Sequence, residues 1–389
     1  MRVTMSRRAR WAVPGAAVLV TGAVIAGLQI PAAQASPNLP AKTPAQLLAS
    51  LGSDAKVPPL TGTVVETASL GLPQLPQLSN TSSTLSLLTG SHTVKVYYQD
   101  ESHFRLAVPQ LASETDVIAD GTKLWLWQST SDSVTEVVPP AGSARQQEQK
   151  VAAAAPVLTP QQAANQILAK VGQTTLVSVQ DNVMVAGDPA YQLVLAPRDD
   201  RSLVGKVVIA VDGKYGVPLR VQLYAKGASS PAFQVGYTAL QFVAPDPANF
   251  AFTPPPGAKV DVVKPGSGEL AKGGTAAGMT GASGFGTYGK SWLTVVSFPQ
   301  SDLTKGLAPG AAQSPGKQPD IYSANSSGVG VSSQELLNAL LGTAKPVSGS
   351  WGSGTLVTTS LFSMLMTNGE VYIGAVEPSV LYAAVGHTS

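Results

Sequence analysis

The sequence predicts a mainly β, α+β protein built on a strongly curved, open antiparallel β-sheet of about eleven strands, a half-barrel covered by helices. Three observations support this fold class. Short apolar runs recur about every ten residues and are separated by turn residues. Only two amphipathic helical segments interrupt them before residue 263, too few for the crossovers of a parallel sheet. The run Leu-Trp-Leu-Trp at 124–127 places large apolar side chains at successive positions, so both faces of its strand must be covered.

The first 35 residues are typical of an export signal peptide. Four arginines precede an almost wholly apolar stretch at 11–30, and Ala33-Gln34-Ala35 fits the small-x-small pattern of a cleavage site. The apolar stretch is also long enough for an uncleaved membrane anchor. We therefore expect a chain exported across the cytoplasmic membrane to the cell envelope, either released after residue 35 or anchored through residues 11–30.

The composition excludes several classes of function. The chain of 389 residues has a formal net charge of +2, and without the four arginines of the leader 21 basic and 23 acidic residues remain. This balance of −2 does not predict a basic surface for nucleic acid. The absence of cysteine excludes disulfides, thiolate metal sites, cysteine nucleophiles and lipid attachment at an N-terminal cysteine.

The main domain is predicted at residues 36–263. Thr43 followed by Pro44 predicts a helix through Leu51, and Thr159-Pro160 opens a second helix that ends before Gly172. Strands are predicted at 62–69, 92–99, 104–108, 114–119, 123–128, 133–138, 174–180, 190–196, 203–211, 217–224 and 232–243. Residues 254–257, Pro-Pro-Pro-Gly, are predicted to end the sheet. The leucine-rich segment 71–91 is either a loop folded onto the core or an apolar flap over a ligand entrance.

The last third of the chain is predicted to be a Gly/Ser-rich linker at 264–289 followed by a small C-terminal α+β extension at 290–389, whose role is not assigned. The GxGxxG pattern at 284–289 is interpreted as the end of the linker, because a strand follows it where a dinucleotide site needs a helix. In the extension we expect strands at 290–298, 355–365 and 370–376, the last two joined by Thr367-Asn368-Gly369, and helices at 332–341 and 377–385.

No arrangement of residues predicts catalysis. The three histidines, His92, His103 and His387, are not spaced as metal ligands, and no Gly-x-Ser-x-Gly elbow occurs. The acid pair Asp199-Asp200 is flanked by arginines, which accounts for it without catalysis. We expect a non-enzymatic protein with no metal or cofactor.

Four segments carry a resemblance to a known family: DGTKLWLW (120–127), AYQLVLAP (190–197), VDGKYGVPLRVQLY (211–224) and FAFTPPPGAKV (250–260). Together they resemble the LolA/LolB lipoprotein-carrier superfamily in its actinobacterial branch, and residues 351–378 resemble the C-terminal extension of that branch. The resemblance implies helices that form a lid over an apolar cavity for acyl chains of lipids or lipoproteins. The related MucB/RseB regulators use a similar domain to restrain an anti-sigma factor.

The resemblance implies that large apolar strand residues line such a cavity. The candidate lipid-binding residues are Tyr98, Phe104, Leu106, Trp125, Trp127, Leu193, Leu195, Val207, Ile209, Leu219, Val221 and Leu223. Strand alternation alone leaves open whether the leucine pair or the tryptophan pair of 124–127 faces the cavity.

The expected function is that of a monomeric lipid or lipoprotein-acyl carrier, since each buried methylene contributes about 0.8 kcal/mol without polar recognition. The alternatives are an envelope stress sensor that binds a membrane anti-sigma regulator, and a structural envelope protein whose sheet is filled by its own side chains.

Overall fold

The computed structural model describes residues 37–52, 57–69, 89–110, 112–121, 123–137, 159–168, 171–263, 285–301 and 341–386. Its α-helices are α1 (Pro44–Gly52), α2 (Pro160–Leu168) and α3 (Pro378–Gly386). The strands of a first sheet are β1 (Leu60–Ser69), β2 (Thr89–Asp100), β3 (His103–Pro109), β4 (Glu114–Asp120), β5 (Leu124–Gln128), β6 (Ser133–Val137), β7 (Thr175–Val185), β8 (Asp188–Pro197), β9 (Val204–Asp212), β10 (Pro218–Ala225), β11 (Phe233–Gln241) and β12 (Lys259–Val263). Those of a second sheet are β13 (Gly286–Tyr288), β14 (Val295–Pro299), β15 (Lys345–Gly349), β16 (Gly352–Thr358), β17 (Ser363–Thr367) and β18 (Glu370–Gly374).

The first sheet has twelve strands in the order β12-β6-β5-β4-β3-β2-β1-β11-β10-β9-β8-β7. Every pairing is antiparallel except that of β6 with β12, which is parallel. Two meanders, β1 to β6 and β7 to β11, are joined where β1 pairs with β11. All eleven predicted strands of the main domain are present in this sheet.

The sheet is curved and unclosed. Residues of β7 lie within 8 Å (Cα–Cα) of residues of β11, although β8, β9 and β10 separate the two strands within the sheet. A flat sheet would hold strands four places apart at roughly 19 Å, so the sheet curls strongly at this end. The predicted fold class, a mainly β half-barrel with few helices, is confirmed.

Both lid helices begin with the same capping arrangement. In α1 the Gln46 backbone N–H donates to Thr43 Oγ1 (3.2 Å), and the Thr43 N–H donates to Gln46 Oε1 (2.8 Å). Thr159 and Gln162 repeat this exchange at α2, with 3.2 and 2.8 Å. Such a capping box satisfies N–H groups that a helix start leaves without partners. The predicted helix starts are therefore confirmed, with α2 ending at Leu168.

The predicted end of the sheet at residues 254–257 is wrong. After this turn, in which Gly257 has φ +89°, the chain forms β12 and adds a twelfth strand beside β6. Prolines cannot donate to a strand ladder, so residues 254–256 interrupt pairing without preventing it from resuming. The missed strand is short and pairs with a segment more than a hundred residues earlier, which the local pattern does not show.

The second sheet has six antiparallel strands in the order β13-β14-β18-β17-β16-β15. The predicted hairpin at 367–369 is confirmed, with positive φ at Asn368 (51°) and Gly369 (76°) as a two-residue turn requires. Helix α3 confirms the predicted C-terminal helix. The predicted strand 355–365 is instead two strands, β16 and β17, and β13 occupies the last residues of the predicted linker.

The second sheet contacts the first through backbone and side chains. Ser202 forms a β-bridge with Val376, and the Trp292 indole N–H donates to Thr175 Oγ1 (2.8 Å). Leu361, from the turn between β16 and β17, is buried in the hydrophobic cluster of the first sheet. The C-terminal region is thus packed against the main sheet, and its contact includes a shared core residue.

Several predictions concern residues outside the described ranges. They are the signal peptide or anchor at 1–35, most of the loop 71–91, linker residues 264–284 and nearly all of the helix predicted at 332–341. Among the helices that the structure describes, none is both long and apolar enough to cross a membrane.

Candidate functional site

One face of the twelve-stranded sheet carries a continuous apolar surface, here called the helix face because α1 and α2 pack on it. The strand register aligns its side chains into rows that cross the sheet. The first row is Leu60, Tyr98, Phe104, Ala119, Leu124 and Val137. The second begins with Val179, Leu193, Ile209, Val221 and Val235. All of these residues are buried in the main hydrophobic cluster or packed against it.

Ten of the twelve predicted lipid-binding residues lie on the helix face. Eight are buried in the main cluster: Phe104, Leu106, Leu193, Leu195, Val207, Ile209, Leu219 and Val221. Tyr98 and Leu223 are partly exposed and pack against it. The structure thus brings residues from β2, β3, β8, β9 and β10 onto one surface.

Trp125 and Trp127 lie on the other face of the sheet, here called the outer face. They form a small separate cluster with Ile118 and Val134, covered by Phe252. The Phe252 ring centroid lies 5.5 Å from that of Trp125 and 6.4 Å from that of Trp127. Leu124 and Leu126 belong to the helix face instead. The chain therefore covers the tryptophan pair with its own segment 250–258, and the leucine pair lies on the face of the sheet that also carries the helices.

The lid contacts the helix face through apolar side chains of both helices. Leu47 and Leu51 of α1 and Ala163 and Ala164 of α2 are buried in the main cluster, and three partly buried residues pack against it: Leu48, Ile167 and Leu168. The two alanines let the α2 backbone approach the sheet closely because they have no side chain beyond Cβ. Each helix has nine residues and a length of about 13 Å, whereas twelve strands span roughly 50 Å along the arc of the sheet.

The segment before α1 is fastened to the edge of the sheet near β8. The Tyr191 hydroxyl donates to the Pro40 carbonyl (2.7 Å), and Lys42 Nζ lies 4.7 Å from the centre of the Tyr191 ring. Asn182 donates to the Pro37 carbonyl (3.1 Å). These polar contacts fix the start of the lid to β7 and β8.

The second apolar row ends in two polar residues that the sequence analysis did not single out. Val235 lies opposite Glu66, and Glu66 lies opposite His92. Glu66 is only 2% exposed, and both residues make interactions within the protein. Glu66 has the same phase as Leu60 and Val64, so an inward polar position was visible in the alternation of β1. The helix face therefore includes two polar positions, Glu66 and His92, on the middle strands β1 and β2.

The outer face holds paired charges beside its tryptophans. Arg105 forms an ion pair with buried Asp116 and lies 3.6 Å from Glu114 Oε1. Burial raises the pKa of Asp116 to about 6, although the Arg105 charge opposes this shift. Lys123 Nζ contacts Glu136 (2.8 Å) and lies 5.0 Å from the Trp125 ring centre. These groups neutralise one another within the chain.

Within the described ranges, no cluster of three or more acidic, histidine or cysteine side chains is arranged to hold a metal ion. His103 interacts with Asp100 at a turn, with 3.1 Å between Nδ1 and Oδ1. The candidate site is the helix face, because its continuous apolar surface suits apolar ligands.

No protein-family model and no curated protein matches the sequence. Similar solved structures include the Pseudomonas aeruginosa MucA/MucB complex, at 12% identity and a TM-score of 0.37, covering 88% of this chain and 96% of the solved chain. MucB in complex with MucA(peri) gives 14% identity and 0.38, with coverage of 88% and 96%. A LolA superfamily protein from Nitrosomonas europaea gives 11% and 0.22, covering 55% of this chain and 99% of the solved chain. The sequence motifs predicted a resemblance to this group of proteins, and the solved structures similar to the chain include members of it.

Proposed function

We propose that this protein is an exported, non-enzymatic carrier that binds an acyl chain of a lipid or lipoprotein against the helix face. The observation that carries the proposal is the extent of that face. Apolar rows run across eleven strands, while the described cover consists of two nine-residue helices and a few side chains of the C-terminal region, among them Trp292 and Leu361.

The energetics suit an acyl ligand. Burying one methylene contributes about 0.8 kcal/mol, so a chain of about twelve carbons gains on the order of 10 kcal/mol before the costs of ordering are subtracted. Affinity of this kind needs no specific polar contact. It matches a surface whose only buried acidic residue, within the described strands of that face, is Glu66.

Binding requires part of the lid to move. Leu193, Leu195 and Ile209 are each 0% exposed, so an acyl chain reaches them only if a covering segment is displaced. Helices of nine residues are marginal in isolation and depend on tertiary contacts. We expect α1 or α2 to shift as the ligand enters, while the antiparallel strands keep their register.

Neighbouring residues of β5 provide a matched test. Leu126 faces the helices and Trp127 faces outward, and both are partly exposed. We expect Leu126→Gln to weaken binding of a fluorescent fatty-acid probe about tenfold, equivalent to about 1.4 kcal/mol. Trp127→Gln should leave the affinity within about twofold. Native mass spectrometry of protein from its host should also detect bound lipid.

Three results would contradict the proposed carrier function. They are a ligand-free mass together with absent probe binding, equal losses in the two variants, and a loss confined to Trp127→Gln. The first would favour the structural alternative, in which side chains fill the half-barrel completely.

A protein partner is the second candidate, and the edge strand β12 favours it. Val260 and Val262 are 44% and 54% exposed, and β12 pairs on one side only. An edge strand with apolar side chains can add a strand from another protein, such as a membrane-bound regulator. Crosslinking in cells should then recover one membrane protein, and Val260→Lys with Val262→Lys should abolish the product. A carrier that needs no such partner would retain its ligand in this variant.

A further inference from the structure

Arg220 lies on the outer face of the twelve-stranded sheet, in β10, an interior strand that is the fourth from the β7 edge. In the register it stands opposite Ala210 of β9 and Gly236 of β11. Its neighbours Leu219 and Val221 face the helices, so the Arg220 side chain points to the other side. A cation on an interior strand, with strands paired on both sides, needs a physical explanation.

Gly236 makes room for this side chain. A Cβ atom at Gly236 would lie 2.8 Å from Arg220 Cγ, 3.0 Å from its Cβ and 3.3 Å from its Cδ. The aliphatic part of the Arg220 side chain therefore lies against β11 at Gly236, where any larger residue would obstruct the arginine. Glycine weakens a strand interior and often marks a close approach of another group, so the sequence of β11 accommodates Arg220 at a cost in strand stability.

The Arg220 guanidinium differs from those of the other arginines in the described part of the chain. Arg105 pairs with Asp116, Arg201 pairs with Asp199 through two nitrogens (3.0 and 2.7 Å), and Arg198 Nε donates to the Gln173 carbonyl (2.9 Å). No hydrogen bond or ion pair joins Arg220 to a described residue, and its buried Nε has no acceptor. Burial lowers the pKa of this guanidinium, the direction expected for a partly desolvated cation.

The groups around Arg220 are neutral. Gln222, two residues further along β10, donates from Nε2 to Gln234 Oε1 (2.7 Å), and Tyr224 follows on the same face. The nearest buried carboxylate on this face, that of Asp212, accepts from the Lys214 N–H (2.9 Å) and the Tyr215 N–H within its own turn. No described carboxylate therefore compensates the charge of Arg220.

We propose that Arg220 anchors a phosphate-type oxyanion on the outer face of the sheet. A guanidinium presents a fork of N–H donors that matches the oxygens of phosphate, and the nearby glutamine amides are further possible donors. An uncompensated, half-buried charge is destabilising, and a bound anion removes that cost. The site is on the opposite side of the sheet from the acyl surface and stands independently of the carrier proposal.

The first test is a titration with inorganic phosphate at constant ionic strength, with chloride as the replacement ion. We expect millimolar phosphate to raise the Tm of the wild type by about 2–4 °C, and Arg220→Met to abolish the rise. Arg220→Lys keeps the charge without the fork and should give a smaller rise. Arg201→Met, which removes an exposed and already paired guanidinium, should respond as the wild type does.

A second arm distinguishes free phosphate from a lipid head group. If the anion belongs to a lipid, the wild type should co-sediment with phosphatidylglycerol vesicles more than with phosphatidylcholine vesicles, and Arg220→Met should lose the difference. Without phosphate, Arg220→Met should be at least as stable as the wild type, because it removes an uncompensated charge. The proposal is overturned if neither phosphate nor vesicles distinguish the wild type from Arg220→Met, or if that variant is markedly less stable without any anion.

Discussion

The two faces of the twelve-stranded sheet cover their apolar side chains in different ways. On the helix face, residues from strands in both halves of the sheet share one large cluster with residues of α1 and α2. On the outer face at β4 to β6, a much smaller group around Trp125 is closed by Phe252 and Ala258 from the chain's own segment 250–258. The outer cluster is also bordered by ion pairs, Arg105 with Asp116 and Lys123 with Glu136.

This difference shows how an apolar strand face can serve packing in one place and binding in another. The outer cluster has a dedicated cover held by the β6–β12 pairing, and its charges are compensated internally. The helix face is covered by two short helices, which depend on tertiary contacts, and by side chains of the C-terminal region such as Leu361. We therefore assign a packing role to the tryptophan cluster of the outer face and propose ligand binding for the helix face.

The largest expected effect comes from truncating the centre of the helix face. Ile209 is fully buried between Leu193 and Val221, so Ile209→Ala should lower the free energy of unfolding by about 2–5 kcal/mol, measured in urea. Lys206→Ala, three residues earlier on the outer face, serves as the control and should cost less than about 1 kcal/mol. A cost below about 1 kcal/mol for Ile209→Ala would contradict close packing of this face.

Removal of the cover from the outer cluster should affect stability and leave binding intact. Phe252 is partly buried, so Phe252→Ala should cost about 1–3 kcal/mol and shift tryptophan emission to the red as Trp125 and Trp127 become hydrated. The affinity for a fatty-acid probe should stay within about twofold of the wild type. If the affinity falls as far as in Leu126→Gln, the two faces are not separate in function.

The acid on the outer face should give a pH-dependent contribution to stability. Because the pKa of Asp116 is raised to about 6, the fold favours its protonated form. This contribution is fully present below the unfolded pKa of about 3.9 and is lost as the pH rises through about 6. The difference in unfolding free energy between wild type and Asp116→Asn should therefore decline from pH 4 to pH 7, by on the order of 1–2 kcal/mol.

Asp199 provides a control, because its pKa is shifted in the direction opposite to that of Asp116. Hydrogen bonds from Arg201 lower the pKa of this exposed carboxyl to about 2. Its contribution is present above the unfolded pKa and is lost as the pH falls toward 2. Asp199→Asn should consequently show no decline in that difference between pH 4 and pH 7, and a parallel decline in both variants would rule out Asp116 as the source.

The sequence predicted the strands of the main domain well, because turn residues separate period-2 segments clearly. It could not predict which pair of 124–127 faces the lid. Alternation has the same period on both faces, and the choice depends on Phe252, which lies more than a hundred residues further along the chain. In the sequence, Glu66 is visible as a polar residue that interrupts the alternation of β1. The sequence does not show which of the two alternating sets of β1 residues faces the helices.

The interruption of the predicted strand 355–365 has a similar cause. The run Leu356 to Leu365 is largely apolar in the printed sequence, so it suggests one strand. Leu361 is apolar because it is buried in the core of the other sheet, and Thr359 Oγ1 accepts from the Phe362 N–H (3.0 Å) to form the turn. The apolar residue Leu361 is thus explained by its contact with the first sheet. The local sequence pattern had instead suggested that it belongs to a continuous strand.

The smallest expected effect on stability comes from removing the helix caps of the lid. It tests most directly whether the helix face and the outer face have different roles. Thr43→Ala and Thr159→Ala each remove a capping box, and each should lower the free energy of unfolding by about 1 kcal/mol. Because the caps hold the lid and make no contact with the outer cluster, hydrogen exchange should rise in α1 or α2 while Trp emission stays unchanged. If these helices open for an acyl chain, the probe should also associate faster with each variant. Faster exchange without faster association would mean that the ligand enters elsewhere along the curved sheet.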